Sequence, residues 1–204
     1  MLADDIRDLY RAWWGQPARR AHFEVDGFAI DVLKWDADTN PQGVTLYASV
    51  GASDRPLPGR DSGHRVEFFV GLLPAQDGIA SPLAALGLYS VREGVALDHG
   101  QSVPAGGPLW VGSPMRTFLV VRPQDEFLPA LELPNALHVE FLQAIPLLDR
   151  ELEFKRKHGA ESMLRRWEET GVRFWDSQRA LRPRLVPASC RVPGRRGPPA
   201  PRAG

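Results

Sequence analysis

The stretch Val44-Thr-Leu-Tyr-Ala-Ser-Val-Gly-Ala-Ser-Asp-Arg-Pro-Leu57 is a run of β-branched, aromatic and small apolar residues that stops in Gly, Ser, Asp and Pro. The run suits a strand over 44–50. The punctuation after it suits a tight loop in which Ser53 and Asp54 hydrogen-bond nearby amides and Pro56 fixes one φ angle. A second stretch, Phe141-Leu-Gln-Ala-Ile-Pro-Leu-Leu-Asp-Arg-Glu-Leu-Glu-Phe-Lys-Arg-Lys-His-Gly159, repeats this plan with a helix in place of the loop. A strand over 137–148 runs into a helix from Asp149, His158-Gly159 caps that helix, and Met163, Leu164 and Trp167 mark a restart. Pro146 cannot donate to a ladder, so this last strand is expected to bend near that residue and to lie on an edge at that point.

Outward from these stretches the periodicity alternates between the two repeats of regular structure. Leu2, Ile6, Leu9, Tyr10, Trp13 and Trp14 recur at helical steps until Gly15 and Pro17, and the aromatic end of this helix reads as a core-facing stripe. His22 to Val25, the Asp26-Gly27 turn and Phe28 to Trp35 form a hairpin signal. One face of its second strand carries Phe28, Ile30 and Val32, and the other Ala29, Asp31, Leu33 and Trp35. With strands over 44–50 and 64–73, a four-stranded meander is expected. Helical spacing returns over 81–94 behind Ser81-Pro82, with Gly87 as an irregularity. The Gly- and Pro-rich segment 98–115 reads as a long loop with a short strand around Trp110, and 118–121 as one more strand. These elements predict an α+β domain over 1–176, in which a curved, mostly antiparallel or mixed sheet packs against helices. Residues 177–204, rich in Pro and Arg, read as a disordered tail.

Composition narrows the function. A chain of 204 residues, 43% hydrophobic with six Trp and nine Phe, can bury one full core. No apolar run approaches the roughly 20 residues of a membrane helix. The first residues carry Asp4, Asp5 and Asp8 where a signal peptide would carry Lys or Arg, which gives a cytoplasmic expectation. The single Cys190 has no partner for a disulfide or a thiolate metal site. Net charge is zero, but 182–204 holds six Arg and no acid, leaving 19 basic against 25 acidic residues before it. An acidic domain makes nucleic acid an unfavoured partner and a basic protein a better one.

Motifs for catalysis are sparse. Gly51-Ala-Ser-Asp-Arg and Gly112-Ser-Pro-Met lack the second Gly of a nucleophile elbow, and no phosphate-binding Gly pattern occurs. The five His residues fall on separate elements. His138 and Glu140 share one strand face, as a two-ligand start would require, but no third ligand is identifiable. No catalytic residue, metal ligand or cofactor is therefore assigned.

The two stretches resemble the suppressor of fused family, in which a strand ends in a Ser-Asp-Arg-Pro-type loop and a late Phe-Leu-Gln strand, a Pro and a Glu-rich helix lead to His-Gly and a last amphipathic helix. The matching positions are Ser53, Asp54, Arg55 and Pro56, then Phe141, Leu142, Gln143, Pro146, Glu151, His158 and Gly159. The resemblance implies a non-enzymatic protein-binding module of the bacterial single-domain type. Some such relatives are proposed to be immunity proteins that neutralise a toxin by tight binding, so a toxin domain is an expected partner. Ser53, Asp54, Arg55 and Glu67 are the expected protein-binding residues. Two alternatives stay open, a hydrolase of unknown substrate and a nucleic-acid-associated adaptor acting through the basic tail; oligomeric state is not indicated.

Overall fold

The computed structural model describes residues 1–25, 27–123 and 127–180. Helix α1 forms over Leu2–Trp14, with Asp4 and Asp5 at its positive end and Gly15, at φ 78°, closing it through a bond to Arg11 O. The meander follows as β1 (Arg19–Val25), β2 (Phe28–Trp35), β3 (Thr45–Val50) and β4 (His64–Leu72). Helix α2 (Ala80–Glu93) then leads to β5 (Ser102–Pro104), β6 (Thr117–Val121), β7 (Leu131–Leu133) and β8 (Leu137–Leu147), and α3 (Asp149–His158) and α4 (Ala160–Thr170) follow.

The strands make one mixed sheet in the order β1-β2-β3-β4-β8-β6-β5, with β7 also on β8. β8 is the spine of that sheet. Its first half pairs in parallel with β4 from His64↔His138 to Phe69↔Gln143. Its other edge is shared end to end by β7, which meets 137–139, and β6, which meets 143–147. β8 is thus central along its first half, but at Pro146 it pairs with β6 alone, so the edge position expected there is present. Pro146 is tolerated because β4 has already diverged from β8 at Gln143, so the missing N–H is needed by no neighbour on that side. The short strand expected around Trp110 is corrected: the strand of this segment is β5, and Trp110 sits in a turn, packed against Gly78.

Both faces of the sheet are covered, and strand alternation decides which helix each side chain meets. Val66, Phe68, Val70, Leu142 and Ala144 share one cluster with Leu83 and Leu86 of α2. The other face carries Phe69, Val139 and Phe141 under Ile6, Tyr10 and Trp14 of α1. Farther along, it carries Ile145 and Leu147 under Met163 and Trp167 of α4. The α1 stripe is aromatic to aromatic: Tyr10 stacks on Trp14 at 5.0 Å, and Trp14 meets Trp35 edge-on at 5.1 Å. Gly87 has a packing reason, since a Cβ there would lie 2.7 Å from Ile30 Cδ1. It lets α2 sit close on β2.

The gap that opens between β4 and β8 is filled by the chain after α4. Leu73 N–H donates to Trp175 O at 2.8 Å and Ser177 N–H to Leu73 O at 3.2 Å. Arg179, only 9% exposed, binds both oxygens of Glu151, at 3.2 and 2.8 Å, and donates to the carbonyls of Phe174 and Pro146. The packed chain therefore runs past residue 176. The remainder of the Pro/Arg-rich tail, from 181, with Cys190, lies outside the described residues.

Candidate functional site

Glu67 projects from the middle of β4 onto the face covered by α1 and is fully buried. Its carboxylate gathers the end of β3 and the loop after it. Ser49 Oγ donates to Oε2 at 2.5 Å, while Oε1 accepts from Gly51 N–H at 2.8 Å, Ser53 N–H at 3.0 Å and Ser53 Oγ at 2.7 Å. Ser49 Oγ in turn accepts from Phe68 N–H, and Tyr10 donates from α1 to Ser49 O. Burial pushes the Glu67 carboxyl above the usual range; the four hydrogen bonds oppose that shift without cancelling it. The Tyr10 hydroxyl is pushed up as well, by burial first and by the nearby Glu67 charge second.

The loop can close on Glu67 because Gly51 takes φ 117°, and because a Cβ there would lie 2.5 Å from Ala29 O. The Ser-Asp-Arg segment is consequently split by depth. Ser53 is buried on Glu67, whereas Asp54 and Arg55 point outward. The structure thus places Ser53 and Glu67 beneath the surface, with no exposed area for a partner; they position the loop. The Ser53 hydroxyl is bound to a carboxylate rather than to a His, so it is not arranged as an activated nucleophile. Asp54 has no side-chain hydrogen bond or ion pair among the described residues. Arg55 lies over the Phe28 ring at 4.8 Å, which ties the loop tip to the β1–β2 hairpin.

A second charged centre, around Asp31, went unassigned in the sequence. This carboxylate is 4% exposed and bonds Arg7 at 2.7 Å, Arg20 at 2.9 Å and His22 Nδ1 at 2.8 Å. Burial alone would raise its pKa, but the hydrogen bonds from His22, Arg7 and Arg20 outweigh that and hold it below the usual carboxylate range. The signal available was Asp31 lying between Ala29 and Leu33 on an otherwise apolar strand face. It joins α1 to the edge strand β1.

Elsewhere, the parallel pairing of β4 with β8 sets His64 beside His138 and Glu140, supplying the third group that the spacing of the last two did not reveal. No helix among the described residues is long and apolar enough to cross a membrane.

Comparisons with known proteins agree with this architecture. A suppressor of fused homolog from Neisseria gonorrhoeae FA 1090 superposes with a TM-score of 0.67 at 19% identity, covering 87% of this chain and 94% of its own. A structure described as the Sufu-Fu complex gives 0.55 at 19% identity, covering 80% of each chain. Drosophila Suppressor of Fused gives 0.52 at 20% identity, with 80% of this chain matched to 44% of that one. No curated protein matches the chain. The family model described as Suppressor of fused protein (SUFU) matches residues 26–180, from the hairpin turn through the Arg179 anchor. The chain belongs to the suppressor of fused family.

Proposed function

We propose that the protein is a non-enzymatic protein-binding module that meets its partner with the loop tip Asp54–Arg55 and the adjoining hairpin end at Phe28. The observation that carries this reading is the contrast in depth within one loop. Four hydrogen bonds fix the base of the loop to Glu67, so the tip is ordered before any partner arrives. The tip itself presents a carboxylate with no partner among the described residues and a guanidinium resting on an aromatic ring. Such pre-ordered, exposed charges beside an aromatic surface suit recognition of another protein. The relative crystallised as the Sufu-Fu complex supports a protein as the ligand class.

The partner best matched to a chain with 19 basic and 25 acidic residues before its tail is a basic protein domain, because complementary charge accelerates encounter. A basic toxin domain neutralised by tight binding fits that description, and the module would then act as an immunity protein in the cytoplasm. The test is capture with the tagged full chain, identification of a stoichiometric partner, and calorimetry of the purified pair. Asp54→Ala with Arg55→Ala is expected to weaken binding at least about tenfold while circular dichroism stays unchanged, as for loss of interface anchors. Equal affinity of the double variant overturns the assignment of the loop.

A further inference from the structure

We propose that His64, His138 and Glu140 form a zinc-binding site at the amino-terminal ends of β4 and β8, separate from the Asp54–Arg55 loop. The site follows from sheet register. His64 and His138 are direct neighbours across the parallel pair, Glu140 lies two residues on from His138, and all three side chains stand on the face that carries Leu142 and Ala144. The apolar row of that face changes to imidazole and carboxylate beyond the cover of α2. Side-chain exposures there are 24%, 30% and 20%, so the groups are half-buried yet reachable.

The ligand atoms lie within 4.8 Å of one another. His64 Nε2 is 3.7 Å from Glu140 Oε2, and His138 Nε2 is 3.8 Å from Glu140 Oε1. These separations are too long for hydrogen bonds. They are close to the spacing of about 3.3 Å between ligand atoms on a tetrahedral ion with bonds of roughly 2.0–2.1 Å. The rings face each other at 22° with centroids 5.4 Å apart, so closure on an ion requires one ring to turn about its soft terminal torsion.

Two further residues shape the site. Glu132 of β7, the register partner of His138, contacts His138 Nδ1 at 2.5 Å. With Nδ1 engaged by Glu132, His138 has Nε2 directed toward Glu140, so Nε2 and the Glu140 carboxylate can ligate one ion together. Carboxylate, histidine and metal in line is the usual outer-shell arrangement of zinc sites. Arg122 opposes it, with Nε 3.4 Å from Glu140 Oε2, but that side chain is 51% exposed and is held at 2.8 Å by Asp98 as well. It can release Glu140 without losing its partner. Two imidazoles and one carboxylate, with a fourth position open to water, favour zinc over calcium or magnesium.

The test uses the tag-free full chain, titrated with Zn2+ by calorimetry and with Co2+ by visible absorption. One equivalent of each is expected, with an intense tetrahedral cobalt band that Zn2+ displaces. His64→Ala, His138→Ala and Glu140→Gln should each abolish the band, and Glu132→Gln should weaken affinity about 10-fold, as outer-shell changes do. Arg122→Gln should tighten it, and His158→Ala, on α3, should change nothing. Circular dichroism confirms that each variant is folded. The absence of stoichiometric binding, or binding that survives His64→Ala and Glu140→Gln, overturns the site.

Discussion

Glu67→Ala should unravel the base of the Ser53 loop while leaving the rest of the sheet in place. The substitution removes the acceptor for Gly51 N–H, Ser53 N–H and two serine hydroxyls. The hydroxyls can rotate to other acceptors, but the two amides cannot, and each buried unsatisfied amide costs about 1–3 kcal/mol. Their sum, about 4 kcal/mol, is a large part of a typical stability of about 5–15 kcal/mol. With a urea slope of about 2 kcal/mol/M the midpoint should fall by about 2 M. Glu67→Gln retains an acceptor and gains a donor directed at Ser49, so it should lose no more than about 1.5 kcal/mol. Urea melts followed by tryptophan fluorescence, with amide exchange at Gly51 and Ser53, separate the cases. Equal losses for the two variants, or a loss under about 1 kcal/mol for Glu67→Ala, refute the role given to this carboxylate.

The pH dependence follows from the same group. Because burial raises the folded pKa of Glu67, its favourable contribution is complete below the unfolded value of about 4.3 and is lost as pH rises through the folded value. The stability of the wild type relative to Glu67→Gln should therefore increase as pH falls in urea melts at a series of pH values. Asp31 has the opposite sign: its contribution is present above about 3.9 and disappears as pH falls through its lowered folded value, and Asp31→Asn should remove about 2 kcal/mol at pH 7 together with that dependence. Gly51→Ala, with φ 117° and a blocked Cβ, should lower stability by about 3 kcal/mol by denaturation, whereas Gly59→Ala, with open space around it, should lose about 1 kcal/mol. Ending the chain at residue 176 removes Arg179 and should lower the melting temperature well below that of a chain ending at 181; equal melting temperatures would discount the Glu151–Arg179 contact.

Much of the fold was readable because local pattern and burial coincide. The alternation of Ile30 and Val32 against Leu33 and Trp35 matches two distinct cores, and Gly159 does separate α3 from α4. What escaped was decided by partners distant in sequence. Pro146 signals an edge and β8 has one there, because β4 leaves it after Gln143; that the first half of the same strand is the spine of the sheet was set by the distant β4 and β7. Glu67 was legible as a candidate by family likeness, but its depth was not, since Ser49 and the turn at Gly51 supply acceptable burial only after β3 and β4 pair. His64 could not be joined to His138 without the parallel register. Trp110 is apolar enough for a strand, yet its burial comes from a turn packed on Gly78.

The pairing of His64 with His138 also bears on how the protein is made. On a ribosome adding about 5–20 residues per second, β4 emerges roughly 4–15 s before its partner β8 exists. During that interval the meander has an open inner edge carrying Val66, Phe68, Phe69 and Val70, all buried in the finished sheet. Folding is thus tied to completion of synthesis well beyond residue 140. The nascent chain offers a strand-pairing surface that holding chaperones, or other copies of the same chain, meet first.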